Sequence, residues 1–309
     1  MANKIFRTLD EQVEILKSRG LVFSDVDMAK GILFKENYFF INGYRHLLVD
    51  NKNPGRFASG STFEELSATF RFDRKIRNIF FKNILIVENN IKSIISYQLS
   101  KKYGFREKEY LNPDNYIQDN LKSRQVKDLL SKIRRQIRVN GKQHSATSHY
   151  IDNYGYVPMW IMVKVLSFGI ISEFYTILKP GDQIAISNVY NSNPDIMSIY
   201  LSILSNFRNL CAHEDILYDH RTQRCITDTK YHIDLDISKE NDEYIYGKND
   251  LFALIIILKH MLNKQEFFEM TEELRYQITS LDEQIDTVPL STILHKLGFP
   301  DNWDKICEQ

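Results

Sequence analysis

Apolar residues recur at intervals of three and four through residues 62–104, with polar residues between them and no proline inside the run. That spacing places the apolar side chains along one face of a helix. Gly104 follows the last turn, where a glycine commonly ends a helix. We therefore predict one long helix over this segment, with a face that packs in the core.

Further segments have the pattern of helices. Residues 157–179 are largely apolar, and Pro158 suits the first turn of a helix there. Residues 121–142 combine an apolar stripe with basic positions, and residues 195–219 also favour a helix. The run "LFALIIIL" at 251–258 is too short to cross a bilayer and predicts a buried helix.

Near the start of the chain, Thr8 and Glu11 have the spacing of a capping box, and Gly20 is placed to end the helix that follows. The stretch "NKNPGRFASGST", residues 51–62, is rich in Pro, Gly and Ser and predicts a linker. Residues 225–248 are short, mixed and tyrosine-bearing, which favours a brief hairpin.

These elements predict a mainly α protein, a helix bundle with small appendages. The low content of Gly, with 12 residues, and of Pro, with 7, also favours long helices over turn-rich β architecture. We divide the chain into an N-terminal helical segment (1–60), a central helical domain (61–262) and a C-terminal helical extension (263–309).

The three cysteines, Cys211, Cys225 and Cys307, have no paired spacing, which argues against a disulfide framework and for a reducing compartment. The N-terminal residues carry charges at close intervals and no apolar stretch of the kind found in a signal peptide. We therefore expect a cytoplasmic protein without a membrane partner.

The net charge of +0 conceals an uneven distribution. Residues 121–142 contain eight Lys or Arg and one Asp, whereas residues 264–309 contain ten acids and four bases. A local basic cluster attracts phosphates whatever the total charge, because screening acts over about 8 Å at physiological salt. One interpretation is a solvated helix face, and the other is contact with the RNA backbone. The candidate RNA-binding residues are Lys122, Arg124, Lys127, Arg134, Arg135 and Arg138.

The chemistry-bearing stretch is "RNLCAH", with Arg208, Asn209 and His213. On a helix, Asn209 and His213 lie on one face because they are four residues apart. Arg208 lies about 140° from His213, but its long side chain can curl towards the same pocket. The alternative is a core helix whose arginine and histidine are merely hydrogen-bonded.

A cation, an amide and an imidazole together suit cleavage of a phosphodiester. An imidazole with a pKa near 6.5 can take a proton from a ribose 2′-OH or give one to the leaving 5′-oxygen. A guanidinium can hold the phosphate and stabilise the charge that develops in the transition state. The 2′-OH is an internal nucleophile, so no metal is needed. The reaction uses an acid and a base, which two copies of the pocket facing each other in a homodimer would supply.

With the "ILYD" that follows it, "RNLCAH" resembles the signature of the Abi family of bacterial abortive-infection proteins, of the AbiD/AbiF type. "ENYFFINGYR", "MWIMVKVLSFGIISEFY" and "LHKLGFPDNW" resemble further parts of that family's pattern, in the same order. The family belongs to the HEPN superfamily, in which an R-x4–6-H motif marks many metal-independent RNases.

The resemblance implies a HEPN-like helix bundle that acts as an abortive-infection toxin in phage defence. It also implies cleavage of RNA that leaves a cyclic phosphate and a 5′-OH, with no cofactor and with a homodimer pairing the two motifs. His213 would be the general acid/base, Arg208 the phosphate clamp and Asn209 the orienting amide. The family often has an Arg and an Asn where this chain has Ile216 and Asp219. Arg221 or Arg224 could replace that second phosphate-binding arginine.

Two other functions remain open at this point. The chain could be a non-catalytic RNA-binding module that binds, or is regulated by, a structured small RNA. It could also be an interaction or scaffold bundle with an inert motif. A zinc site is disfavoured, because the spacing of Cys211, His213, His220, Cys225 and His232 matches no standard zinc pattern.

Several residues outside the motif have two interpretations. Arg77 and Glu88 are eleven residues apart on one face of the long helix. They either buttress the motif from a neighbouring helix or form a structural ion pair or no direct contact, and we favour the second interpretation. The aromatic residues near the N-terminus either stack on bases or pack in the core, and we favour the core. These aromatic residues are Tyr38, Phe39, Phe40 and Tyr44, and we expect Trp160 and Trp303 to be core anchors as well.

Overall fold

The computed structural model describes residues 5–50, 53–141 and 143–308, and it is mainly α. The first helices are α1 (Leu9–Ser18), α2 (Val26–Glu36), α3 (Tyr38–Gly43), α4 (Phe63–Tyr103), α5 (Glu107–Tyr110), α6 (Ser123–Asn140), α7 (Ser145–Tyr154) and α8 (Met159–Val165). The later helices are α9 (Phe168–Ile177), α10 (Pro180–Ser187), α11 (Pro194–Ala212), α12 (Lys230–Asp234), α13 (Leu251–Met261), α14 (Lys264–Asp282) and α15 (Leu290–Leu297). Short 3-10 turns cover Tyr44–Leu47, Pro113–Asn115, Asn188–Tyr190 and Trp303–Glu308.

The β structure consists of two small antiparallel pairs in the described residues. Strand β1 (Val49–Asp50) pairs with β2 (Asn53–Phe57), and β3 (Lys239–Glu240) pairs with β4 (Glu243–Tyr244). The second pair confirms the predicted hairpin. The predicted linker at 51–62 is wrong for Asn53–Phe57, because these residues form β2 and pair with β1.

Helix α4 is the central element, and its predicted extent is confirmed. Thr62 Oγ1 accepts from Glu65 N at 3.1 Å and Glu65 Oε2 accepts from Thr62 N at 2.9 Å, a capping box that starts the helix. Gly104 ends it with φ +93°, a conformation that favours glycine. Helices α8, α11 and α14 all pack against α4, and its apolar face is buried in the core.

Two predicted helices have different bounds in the structure. The segment 157–179 is two helices, because Leu166 is extended and Ser167 caps α9 by accepting from Ile170 N at 3.4 Å. The segment 195–219 is helical only to Ala212. The capping box of Thr8 and Glu11 is confirmed.

Helix α6 confirms the predicted amphipathic helix, with Val126, Leu129, Leu130, Ile133 and Ile137 buried. Leu121, the first apolar residue of the helix predicted at 121–142, instead precedes the helix and is 90 % exposed. Among the residues described, no helix is both long and apolar enough to cross a membrane. The division of the chain at 60 and 262 stays a prediction.

Candidate active site at the end of α11

Helix α11 ends immediately before His213, and its end has a defined geometry. His213 N donates to Asn209 O at 3.0 Å, and Asp215 N reaches back to Leu210 O at 3.1 Å. Glu214 has φ +57° and donates through its backbone N–H to Cys211 O at 3.4 Å. These bonds form a Schellman motif, in which a left-handed residue closes the helix. The chain therefore turns sharply just after the candidate imidazole.

Helix α4 fixes the segment that follows this turn. Arg77 Nη1 donates to Asp215 O at 2.6 Å and to Asp73 Oδ2 at 3.1 Å. Asp73 also accepts from Leu217 N at 3.1 Å and from the Tyr44 hydroxyl at 2.9 Å. Burial raises the pKa of Asp73 to about 6, and Arg77 beside it acts in the opposite direction. The carboxylate is thus still ionised at neutral pH and holds the loop against α4.

Arg208 is held by a second carboxylate of α4. Its Nε donates to Glu88 Oε2 at 3.3 Å, and Lys92 Nζ donates to Glu88 Oε1 at 2.6 Å. The Phe81 ring lies 5.9 Å from the guanidinium carbon, within the range of a cation–π contact. Nη1 and Nη2 of Arg208 have no partner in the described part of the chain, so its two-pronged end is open to a ligand. One carboxylate between two cations leaves a net positive charge here.

Asn209 and His213 lie on the exposed side of α11. No hydrogen bond joins the side chains of Arg208, Asn209 and His213 to one another within the described residues, because the guanidinium turns towards α4. The imidazole of His213 likewise has no partner there. The structure thus places the three predicted residues at one helix end, with Arg208 fixed and the other two free to meet a substrate.

One departure from the expected motif, Ile216, has a packing role. A Cβ added at Gly43 would lie 2.7 Å from Ile216 Cδ1, so Ile216 packs closely against the end of α3. Arg221 donates to His220 O at 2.9 Å and to Lys296 O at 3.1 Å. Arg221 therefore already serves two carbonyl groups, and Asp219 is exposed.

The basic face of α6 is a separate surface. Helix α6 packs on α8 and α9, while α11 packs on α4 and α9. Arg134 Nη2 donates to Leu111 O at 2.9 Å, and Lys122 Nζ reaches Thr176 O at 3.4 Å. The remaining predicted cations of this helix, Arg124, Lys127, Arg135 and Arg138, are exposed. A groove of about 470 Å³ between α5 and α6 is lined by Lys108, Arg134 and Arg138 among others.

The sequence of the chain matches one known protein family. The family described as Abi-like protein matches residues 31–219, which is more than half of the chain and includes all of α4 and α11. The chain belongs to the Abi-like protein family. No curated protein and no solved structure matches it. Membership of this family supports a role in abortive infection. The matched range ends at Asp219, so His220 lies just outside it.

The sequence of this Abi-like protein predicts only part of the environment of Arg208. The favoured interpretation of Arg77 and Glu88, a structural ion pair or no direct contact, is wrong, because both contact the segment of the motif. They form their ion pairs with Asp73, Lys92 and Arg208 rather than with each other. Lys92 and Phe81 were not foreseen. The only sequence feature that marks these two residues is a spacing of three or four residues from charged or apolar neighbours on α4. Many other helix residues have the same spacing.

The sequence indicates His220 only as a member of the disfavoured zinc pattern, and the structure gives it another environment. Its Nε2 lies 2.6 Å from Asn206 Oδ1, and its ring packs edge-on against Phe207 with centroids 5.2 Å apart. No group of three or more His, Cys, Asp or Glu that could hold a metal occurs in the described residues. Burial raises the pKa of Cys211 to about 12, so that thiol is protonated.

The aromatic residues near the N-terminus divide into two groups. Tyr44 is buried, as predicted for a core residue, but Phe39 and Phe40 are 74 % and 46 % exposed. The prediction of core packing is therefore wrong for these two phenylalanines. It is also wrong for Trp160, which is 42 % exposed, and it is confirmed for Trp303.

Proposed function

We propose that this Abi-like protein is a metal-independent endoribonuclease of the HEPN type, and that RNA cleavage is how it acts in abortive infection. The observation that carries the proposal is the Glu88–Arg208 contact: it fixes Nε and leaves Nη1 and Nη2 open beside the helix end that bears His213. A guanidinium held in this way can bind two phosphate oxygens without losing further side-chain freedom.

The reaction is an in-line transesterification. The ribose 2′-oxygen attacks phosphorus as its proton passes to a base, and the bond from phosphorus to the 5′-oxygen breaks as that oxygen receives a proton from an acid. The products are a 2′,3′-cyclic phosphate and a 5′-OH. Arg208 would stabilise the charge on the phosphoryl oxygens, His213 would transfer a proton and Asn209 would orient the phosphate or the imidazole.

The test compares wild type with His213→Ala and Arg208→Ala, both expressed in bacteria and purified. Loss of an acid–base group lowers the cleavage rate by about 10²–10⁴-fold. We expect both variants to lose toxicity and RNA cleavage together. Thermal unfolding should be unchanged in His213→Ala because His213 is exposed, whereas Arg208→Ala removes a partner of the nearly buried Glu88 and should unfold at a somewhat lower temperature. Full RNA cleavage by a folded His213→Ala protein would refute the proposal.

A second candidate function rests on the exposed cations of α6. In this alternative the protein is a non-catalytic module that binds RNA, including a structured small RNA that regulates it. The logarithm of the affinity for RNA would then fall steeply with the logarithm of the salt concentration. The magnitude of that slope would decrease by about one for each phosphate contact that a substitution removes. Lys127, Arg135 and Arg138 have no partner in the part of the chain that the structure describes, so their reversal to Glu tests this surface without breaking internal contacts.

A homodimer belongs to the same proposal. In that arrangement the partner's copy of the motif would face this one and supply the second proton-transfer group. Sedimentation at enzyme-assay concentrations measures whether the dimer exists, and dilution below its dissociation constant would abolish activity.

A further inference from the structure

Five aromatic rings lie together where α7, α8 and the segment before α5 meet. The ring centroids of Phe105 and Trp160 are 5.5 Å apart, and those of Tyr150 and Tyr154 are 5.4 Å apart. Tyr156 lies between these pairs, 5.9 Å from Phe105 and 6.4 Å from Tyr154. Trp160 Nε1 donates to the Tyr150 hydroxyl at 3.4 Å and closes the circuit of rings. We call these five residues the aromatic cluster.

The aromatic cluster lies at the surface of the protein. Helix α7, which carries two of its tyrosines, is a surface helix whose only buried residue is Thr147. Tyr154 is 58 % exposed and Trp160 is 42 % exposed. Rings that are held together but only partly covered leave flat apolar faces accessible, and a contiguous exposed patch of this kind marks a binding site.

A basic groove borders the aromatic cluster. It is the groove of about 470 Å³ between α5 and α6, and its cations are Lys108, Arg134 and Arg138. Glu107 is the carboxylate among its described lining residues. Lys108 and Arg138 are exposed and have no partner within the described chain, so both cations are free to meet phosphates.

Contacts of α5 join the groove to the aromatic cluster. Glu107 lines the groove, and its Oε1 accepts from Val157 N at 2.7 Å, directly after Tyr156. The guanidinium carbon of Arg106 lies 5.3 Å from the ring centroid of Tyr156 and 5.9 Å from that of Phe105. One continuous surface therefore carries cations on one side and aromatic rings on the other, with Arg106 at the boundary.

This combination fits RNA whose bases are unpaired. Cations in a groove bind successive phosphates, and unpaired bases have flat faces that stack on aromatic rings. Duplex RNA offers the same phosphates but keeps its bases stacked inside the helix, so the rings would gain no contact with them. A protein partner could cover the rings but would leave the unpartnered cations of the groove without a role.

We propose that the aromatic cluster and the groove between α5 and α6 form a binding site for single-stranded RNA, separate from the motif at the end of α11. The rings stack unpaired bases, and the groove binds the phosphates that join those bases. This inference rests on the proposed function, because RNA is the ligand in both. It assigns the surface that holds the RNA away from the bond that is cleaved.

Tryptophan fluorescence tests where the bases bind. The probe is a 2′-O-methylated oligoadenylate, which has unpaired bases but no 2′-OH nucleophile, so the proposed reaction cannot cleave it. Stacking of a base on Trp160 quenches indole fluorescence, whereas Trp303, the other tryptophan, is only 6 % exposed. We expect the probe to quench wild type strongly and Trp160→Phe little. Undiminished quenching in a folded Trp160→Phe protein would place the bound bases elsewhere and overturn the proposal.

Fluorescence anisotropy of the same probe, carrying a dye, tests the stacking role of the rings. Loss of one stacked base should make the affinity of Tyr154→Ala about 5- to 150-fold weaker. Tyr154→Phe keeps the ring and should bind like wild type. Tyr276→Ala is the matched control, because Tyr276 is 69 % exposed on α14, and its affinity should be unchanged. Equal affinities of Tyr154→Ala and wild type would overturn the stacking role.

The salt dependence of binding tests the groove. Lys108→Gln and Arg138→Gln should each weaken binding of the oligoadenylate and reduce the magnitude of its salt slope by about 0.7. Inorganic polyphosphate, which has phosphates but no bases, should bind Tyr154→Ala as tightly as wild type. Unchanged affinity for the oligoadenylate in both groove variants would remove the groove from the site. Equal or tighter binding of a fully paired RNA duplex would overturn the preference for unpaired bases.

The outcomes separate this inference from the proposed function. If wild type cleaves RNA and Tyr154→Ala binds the probe like wild type, the inference fails while the nuclease stands. If the probe binds and quenches Trp160 but wild type cleaves no RNA, the binding site stands and the nuclease fails. If Tyr154→Ala sediments as a monomer where wild type is a dimer, the rings are an interface between copies of the chain and the inference fails.

Discussion

Glu214 occupies a backbone conformation that favours glycine, one residue after the candidate acid/base His213. Its φ of +57° costs about 1 kcal/mol for a residue with a Cβ. Its compensating contact with Arg74, at 3.6 Å, is exposed and contributes little. Glu214→Gly should therefore raise the free energy of unfolding by about 0.5–1 kcal/mol, as measured by urea denaturation.

Glu214→Ala is the matched control for that substitution, because it removes the carboxylate and keeps the Cβ. Alanine should give no gain. Equal stabilisation by Gly and Ala would mean that charge, and not backbone strain, sets the energy of this turn.

Glu88 is the residue on which the orientation of Arg208 depends. Glu88→Gln weakens the contact with Nε but adds positive charge to the site, so we expect kcat for RNA cleavage to fall while KM does not rise. Arg208→Lys, which keeps the charge and loses the two-pronged end, should behave in the same way. A Glu88→Gln enzyme with unchanged kcat would exclude the positioning role.

The Glu88 carboxylate also contributes to the stability of the fold, and Glu88→Ala tests this contribution. Glu88 and Lys92 have side chains only 5 % and 10 % exposed, so Glu88→Ala leaves a cation nearly buried without its partner. We expect a loss of about 3 kcal/mol in the free energy of unfolding. Adding Lys92→Met to Glu88→Ala removes the unpaired cation and should recover part of that loss; no recovery would show that packing, not charge, is responsible.

At the scale of elements, α4 brings together the two halves of the candidate site. Its Asp73 and Arg77 fix the loop after α11, and its Glu88 fixes Arg208 within α11. A helix of 41 residues is about 60 Å long and can anchor two points that a flexible loop could not hold at a constant separation.

The sequence predicted α4 and the relation of Asn209 to His213, because both depend on local periodicity. It could not predict that Glu88 meets Arg208 or that Asp73 meets Leu217. Those partners lie 120 and 144 residues apart, and nothing in the local pattern of either residue specifies the other. The return of His220 to Asn206 was not predictable for the same reason.

The break between α8 and α9 shows a second limit of prediction from the sequence. The apolar pattern resumes directly after Ser167, and neither Leu166 nor Ser167 is the Gly or Pro that commonly marks a boundary; Gly169 lies inside α9. The break depends on the Ser167 cap, so Ser167→Ala should lower the free energy of unfolding by about 1 kcal/mol. Ser131→Ala, at an exposed interior position of α6, is the control and should be neutral or slightly stabilising. Equal effects of the two substitutions on the free energy of unfolding would show that Ser167 does not stabilise α9 as a cap.

At the scale of the whole molecule, stability should depend on pH through histidines that are neutral when folded. His232 is fully buried: Nδ1 accepts from Thr229 N at 3.0 Å, and Nε2 donates to Gly247 O at 3.0 Å. Burial is the largest cause of the lowered pKa of His232, and Lys248 lowers that pKa further. Burial also lowers the pKa of His260 and of His220.

A lowered folded-state pKa means that the unfolded chain binds more protons than the folded chain as pH falls through about 6.5. The free energy of unfolding should therefore decrease between pH 7.5 and pH 6.0. Burial raises the pKa of Asp73 and Asp250 to about 6, so these carboxyls act with the opposite sign from about pH 7 downwards and offset part of the effect of the histidines. The contribution of His232 is therefore obtained by comparing wild type with a variant that lacks this imidazole.

Urea denaturation of wild type and His232→Gln at pH 7.5 and pH 6.0 measures this effect. The Gln side chain can still donate to Gly247 O but does not titrate, so the difference in free energy of unfolding between the two pH values should be smaller in the variant. Its stability at pH 7.5 will also be lower, because the Gln side chain does not fill the site of the imidazole. An equal pH dependence in both proteins would show that His232 is not the group that destabilises the fold in mild acid.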